Sequence, residues 1–470
     1  MTIGSTRRAS ESYELRLIRS MVAGMRDHVL PGLNSAGAVD VAESVLRSLA
    51  LMGAERALGE PDVARYAETV GLTNRVEGTP QARLDVLRAS AADGVAAGTI
   101  SPIRAMAAER DVQRVIVEAR DERSGAANSV TGSDQVDGAS DIARRLERYL
   151  HQRWPQEQAL IVTGARVIPG GRSKQTLWVT VAGQVNVPAE FILRLDRPVP
   201  LIPTRAAEEF RIIKAVWDHG GIPVPEPILG EDEESWLGGT FLLCGVVEGN
   251  KAGEYFPEVA SPAEHREEIG RDLARLMGRL HALDPASLGL AQSTAGVQRW
   301  SAELDEIHAG MRAIGARVPE YEVARAWLLD HLGAADGPAT VQHGDIGLQN
   351  LLVKDGRITA LVDWELVTAG PAAVDIANCR HAIEVLIPWD EFVAEYRFAG
   401  GPEAALVPDH LAFHTLLRAA RAVMTSHAAG AMFASGQSDD LVLGNAGYDF
   451  ALRTRQLLVS ALERVTTVAP

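Results

Sequence analysis

At 470 residues and 50.4 kDa the chain is long enough for two or three domains with sizeable cores. Its formal net charge of −16 argues against nonspecific nucleic-acid binding, which needs basic surface to displace counterions. Two cysteines far apart, Cys244 and Cys379, argue against a disulfide framework or a four-ligand zinc site and fit a reducing cytosol.

The N-terminal stretch lacks an apolar run of signal-peptide length, and no later stretch holds the roughly eighteen apolar residues of a membrane span. A cytoplasmic protein with no membrane or nucleic-acid partner is expected. The acidic surplus lies almost wholly beyond residue 135, where it serves solubility more readily than recognition.

Taken in order, residues 11–120 read as helices. Leu15, Ile18, Met21, Val22 and Met25 form one apolar stripe and Val41, Val45, Leu49 and Met52 another, broken at Pro31-Gly32 and at Gly59-Glu60-Pro61. A third helix is predicted from Pro80 to Ala97 and a fourth from Ser101, an N-cap before Pro102, to Arg120. His28 stands alone and suggests no site. Residues 123–140 are small and polar, cannot offset their ordering entropy by burial, and read as a flexible linker. The domain boundary belongs there, giving a helical domain over 1–122.

Beyond the linker, a helix from Asp141 to His151 precedes a strand, a Gly170-Gly171 turn and a second strand ending near Val181. Glycines there let backbone amides approach a phosphate, and Ser173 adds a hydroxyl. Phe191 to Pro198 is a strand carrying Arg194, and Arg205 to Trp217 a helix carrying Glu208 and Glu209, of which only one can face a given side because neighbours point about 100° apart. Thr240 to Gly249 reads as a buried strand, Glu264 to Leu283 as a long helix containing His281, and 301–334 as helical. The tail is helical over Asp409 to Gly430 and Ala446 to Thr466. His410 and His414 share a face of it, while His427 points elsewhere, so packing is expected there rather than metal binding.

The most informative stretch runs from Val341 to Glu365. Apolar runs Asn350 to Val353 and Ile358 to Trp364 flank an Asp355-Gly356 turn, a strong hairpin signal. Pairing brings Asn350 and Asp363 to one end of the ribbon, with Asp345 just upstream. Two carboxylates and an amide suit a hard cation such as Mg²⁺, shared with substrate phosphates. In that scheme Asn350 and Asp363 hold metal and Asp345 accepts the proton of an attacking hydroxyl.

His343-Gly-Asp345, Asn350 and the string Val362-Asp363-Trp364-Glu365 resemble the signature of the aminoglycoside phosphotransferase family of small-molecule kinases. The resemblance implies an α+β, protein-kinase-like bilobal fold. Its small β-rich N-lobe would span 141–247 and its helical C-lobe 248–470, preceded by an all-α domain whose expected role is oligomerisation or a lid. ATP and Mg²⁺ are the implied cofactors and a small-molecule hydroxyl the implied partner. The loop at Gly170, Gly171 and Ser173 resembles the family's GGxSNxT loop, with Lys174 where asparagine is usual. Arg194 would take the place of the phosphate-gripping lysine, and matching the helix selects Glu209 as its partner. The strand after Gly221-Ile-Pro-Val-Pro would lead into a hinge in which backbone groups of Gly245 and Val247 meet the adenine edge. His281 and His343 would pack, and Asp375 would anchor a loop by accepting backbone donors. Arg194 and the helix resemble the branch associated with acyl-CoA dehydrogenases, implying a hydroxyacyl-CoA or related catabolic acceptor. An antibiotic phosphotransferase and a silent nucleotide-binding scaffold are the alternatives.

Overall fold

The computed structural model describes residues 60–72, 79–124, 137–168, 173–197, 204–253, 255, 264–290, 296–438 and 441–467. The apolar stripes around Leu15 and Val41, His28, and the Gly170-Gly171 turn lie outside them. The chain divides into two compact units. One takes residues 1–135 together with 310–320 and 422–456, and the other takes 136–309, 321–421 and 457–470.

In the first unit, α1 (Glu60–Val70), α2 (Pro80–Ala96) and α3 (Pro102–Ser124) follow one another. Glu60-Pro61, read from sequence as a break, is the first turn of α1, a position where proline loses no hydrogen bond. At the start of α2 the Thr79 hydroxyl accepts the Ala82 amide at 3.3 Å, and at α3 the Ser101 carbonyl accepts the Ala105 amide at 3.1 Å. Val63, Tyr66, Leu84, Leu87, Val112 and Ile116 close a core that also takes in Leu452. Inside it, Glu109 accepts hydrogen bonds from Tyr66 Oη at 2.9 Å, Arg88 Nε at 2.9 Å and Arg455 Nη2 at 2.6 Å, while Arg455 Nε reaches Glu320 at 2.5 Å.

The second unit begins with α4 (Asp137–Arg153), four residues before the expected start, so the end of the predicted linker is helical. Asp141 lies near its start, where a carboxylate favours the helix dipole. Strands β1 (Ile161–Ile168), β2 (Lys174–Ala182) and β3 (Glu190–Asp196), helix α5 (Ala206–His219), then β4 (Pro227–Glu231) and β5 (Phe241–Gly245) follow. The strands form an antiparallel sheet in the order β1-β2-β3-β5-β4. Alternation gives it two buried faces. Leu177, Val179, Leu193 and Leu243 meet Leu146 and Leu150 of α4, whereas Leu242 and Cys244 join the core that contains Ile213 and Val216 of α5.

After β6 (Asn250–Lys251) the chain is mainly helical, with α6 (Arg266–His281), α7 (Val297–Ala313) and α8 (Pro319–Asp330). Next come β7 (Ala339–Gln342), β8 (Leu351–Lys354), β9 (Arg357–Leu361) and β10 (Thr368–Pro371). Helices α9 (Ala373–Leu386), α10 (Trp389–Phe398), α11 (Pro408–Ser435), α12 (Leu441–Asn445) and α13 (Ala451–Thr467) complete it, with a π turn at Ala446–Phe450. The second unit therefore has the small sheet and helical lobe expected of a kinase-like fold. Among the described residues no helix is long and apolar enough to cross a membrane.

Candidate active site

The hairpin forms as its sequence requires. Leu351 pairs with Leu361, and Asp355 and Gly356 make the turn at φ of 50° and 74°. The Val362 amide donates to the Asn350 carbonyl at 2.9 Å, which fixes the two ends of the ribbon together. Asp363 then adopts a left-handed conformation, φ 70° and ψ 60°, costly for a residue with a Cβ and typical of functional turns.

The loop before the hairpin is clamped by α9. Asp375, in the helix's first turn, accepts the His343 amide at 2.7 Å and the Gly344 amide at 2.8 Å, and Asn378 Nδ2 donates to the Gly344 carbonyl at 2.8 Å. His281 Nε2 lies 3.2 Å from the same carboxylate. Burial would raise Asp375, but the His281 hydrogen bond and charge outweigh it and hold the carboxyl below its usual range. Gly344 has φ 86°, and a Cβ there would meet the Leu366 carbonyl at 2.6 Å, so glycine is required. His343 is buried against Trp364, with Nε2 3.1 Å from the Val362 carbonyl and Nδ1 3.3 Å from the Asp345 amide. Burial lowers its pKa, which suits packing rather than proton transfer.

Asp345 projects from this clamped loop. Asn350 Nδ2 donates to both its carbonyl and its Oδ2, each at 2.9 Å. That commits the amide nitrogen and leaves the amide oxygen as the acceptor end of Asn350. Burial, and then the Asp363 charge, push Asp345 up to about 7, against the pull of Arg418.

Arg194 on β3 links this end to the sheet. Its Nη2 donates to Asp363 Oδ1 at 2.6 Å, and its Nε lies 3.3 Å from Glu209 Oε2 of α5. Those last two atoms are buried without a hydrogen-bond partner, so the pair is close but not aligned. Glu209 also accepts the Trp364 amide at 3.2 Å, and burial pushes its carboxyl up to about 7 despite Arg194. Glu208 is exposed, so Glu209 is the carboxylate that faces inward.

Lys174 stands where the resembled loop usually carries asparagine. It is only 1% exposed and begins β2 with its Nζ donating to the Thr204 carbonyl and hydroxyl, both at 2.7 Å. The same Nζ lies 3.2 Å from Asp196 and 3.4 Å from Glu365, and the Thr204 hydroxyl donates to Glu365 at 2.9 Å. Glu365 was visible in the motif string, but nothing in its spacing announced a buried lysine. Ser173, beside Lys174, is buried. Gly245 pairs with Phe191, and its amide donates to the Glu226 carbonyl at 2.8 Å, so that amide is already committed. His414 Nε2 instead meets the Ala335 carbonyl at 2.9 Å and packs on Trp300, and among the described residues no group of three or more His, Cys, Asp or Glu side chains could hold a metal.

Asp196, Glu209, Asp363 and Glu365 thus gather around two cations, Arg194 and Lys174, and the Asp363 charge acts in turn on Asp345. The oxygen-rich set and its negative surplus fit a divalent hard cation at Asn350 and Asp363, the latter still partly exposed.

A model of the phosphotransferase enzyme family matches residues 164–413. Acyl-CoA dehydrogenase family member 11 of Rattus norvegicus is 30% identical over 245 residues, covering 50% of this chain and 30% of that protein. The Homo sapiens protein of that name is 28% identical over 267 residues, covering 51% and 32%. The chain therefore spans about a third of the length of these relatives. A candidate aminoglycoside phosphotransferase from Ralstonia eutropha shares the fold at a TM-score of 0.51 and 17% identity, over 68% of this chain and 98% of that one. With the family's match covering more than half its length, including the clamped loop, the hairpin and Arg194, the chain belongs to the phosphotransferase enzyme family.

Proposed function

We propose that the second unit transfers phosphate from ATP to a hydroxyl of a small molecule, with Asp345 as the general base. The observation that carries this reading is the pairing of a loop-clamped, hydrogen-bonded Asp345 with a neighbouring carboxylate cluster that exceeds its cations. Asp345 would orient the acceptor hydroxyl and take its proton. A carboxyl near 7 is well matched to that task at neutral pH.

Asn350 and Asp363 would hold Mg²⁺, which when bound supplies charge neutralisation across the donor phosphates. Arg194 stands on Asp363 and is only loosely aligned with Glu209. Donor binding would exchange the Arg194–Asp363 bond for contacts to phosphate, with Glu209 retaining the arginine's Nε side. Lys174 would keep Glu365 and Asp196 from repelling the donor. The Val247 amide and the Gly245 carbonyl would face the adenine edge, and the turn at Gly170 and Gly171 with Ser173 would cover the phosphates.

For the acceptor, the identity with acyl-CoA dehydrogenase family member 11 supports a hydroxyacyl-CoA or a related hydroxy acid. The test is ADP release from ATP with hydroxyacyl-CoAs, free hydroxy acids, simple alcohols and aminoglycosides, alongside Asp345→Asn. Transfer to one class that is lost in the variant supports the reading. Acceptor-independent ADP release equal in both proteins removes it.

A further inference from the structure

Arg418 lies on α11, five residues past the end of the family match. Its guanidinium carbon sits 5.2 Å over the Tyr255 ring. The Tyr255 carbonyl is 3.1 Å from His381 Nε2, and the two rings lie 6.5 Å apart. His381 belongs to α9, the helix whose Asp375 and Asn378 hold the loop carrying Asp345. Arg418 is thereby joined to the clamped loop through one helix. Its charge acts on Asp345, Cys379 and His381.

Two further arginines at this helix, Arg380 and Arg464, are already engaged, the latter with its Nη2 3.6 Å from Glu384 Oε2. Arg380 lies 3.4 Å over the Trp389 ring and donates to Glu384 at 2.6 Å. Arg418 is half-buried and forms no ion pair among the described residues. His381 is kept neutral, since burial and then Arg418 push it down to about 4. Arg418 is therefore the positive charge of this group, and it is uncompensated by direct contact. A guanidinium held over an aromatic ring still carries its N–H donors in one planar fork, which matches the two oxygens of a carboxylate or phosphate. A polycationic acceptor would meet repulsion at the same point.

We propose that Arg418 is the anion-recognition residue of the acceptor site, binding a carboxylate or phosphate oxygen pair of the molecule whose hydroxyl faces Asp345. The proposal rests on the kinase reading above and narrows its acceptor to an anionic one. Two sources of the oxyanion are open to test, the acceptor's own group and the phosphoryl group being transferred.

The experiment uses the full chain with Mg²⁺ and AMP-PNP. Binding of 3-hydroxybutyrate, 3-hydroxybutyryl-CoA, the uncharged methyl ester of 3-hydroxybutyrate and kanamycin is followed by ligand-observed NMR, so no turnover is needed. The wild type is expected to bind the two anionic compounds ahead of the ester and kanamycin. Arg418→Gln is expected to weaken the anionic pair by about 10- to 100-fold, the loss of one charge-assisted pair, with Arg418→Lys recovering part of it. AMP-PNP affinity should stay within about twofold, which also reports that the variant is folded. Equal binding of the anionic compounds by Arg418→Gln, a wild-type preference for the ester or kanamycin, or no anionic binding at all overturns the proposal. A variant that loses AMP-PNP affinity in parallel assigns the arginine to the donor phosphates and also overturns it. If no acceptor is phosphorylated while the binding order holds, the kinase reading falls and the anion site stands.

Discussion

Each unit of this protein buries a cluster of charges, and the two clusters are built on opposite rules. In the helical unit Glu109 and Glu320 are matched by Arg88 and Arg455, and each carboxylate is bonded by at least one guanidinium. In the second unit four carboxylates, those of Asp196, Glu209, Asp363 and Glu365, surround Arg194 and Lys174, and Asp363 and Arg194 keep some exposure. A balanced, closed network has nothing left to bind. An unbalanced and partly open one is held at the expense of shifted pKa values, as the rise of Asp345 and Glu209 to about 7 shows, and in the function proposed above it would be completed by cations and phosphates from outside.

The largest expected effect breaks the open cluster. Asp345→Asn should lower phosphate transfer by about 10²- to 10⁴-fold, the range for loss of a general base, while ATP binding persists. Because the same change removes a carboxylate that burial and Asp363 disfavour, its melting temperature should equal or exceed that of the wild type. Wild-type-like turnover would dismiss the base, and a sharp loss of stability would dismiss the contrast.

The closed cluster should respond the other way. Arg455→Met leaves Glu109 and Glu320 facing each other in the core, and a loss of about 3–5 kcal/mol is expected from denaturant unfolding. An unchanged midpoint would mean that the network contributes nothing to the unit's stability. The smallest effect concerns buried histidines in both units. Burial depresses His427 in the first unit to about 4, and His381 and His414 in the second to about 4 and 3. Their folded pKa values lie below the unfolded value of about 6.5, so they contribute stability above that pH and lose it as pH falls toward 4. Melting temperatures measured between pH 7 and 4.5 should fall, and a flat profile would show that these rings charge in place.

Much of the second unit was legible because its signals are local. The turn at Asp355 and Gly356 fixes the hairpin register, and the register alone brings Asn350 to the residues flanking Asp363. Asp375 was readable as an anchor from its place at a helix start. Lys174, Thr204 and Asp196 were not readable as a group, because contacts across strands and loops leave no periodic trace in sequence. The domain boundary shows the same limit. A linker composition marks where the chain loosens, and it could not reveal that 310–320 and 422–456 return to complete the first unit. Leu452 and Arg455 belong to that core and network, so deleting residues 1–135 is expected to expose apolar surface rather than leave a clean kinase core.

The most direct test of the open cluster is calorimetric titration of ATP into wild type and Asp363→Ala, each with and without Mg²⁺. Affinity that rises with Mg²⁺ in the wild type, and no longer does so once Asp363 is removed, is the expected result. Affinity indifferent to Mg²⁺, or unchanged in Asp363→Ala, would contradict the claim that this surplus of carboxylates is a divalent-cation and phosphate site.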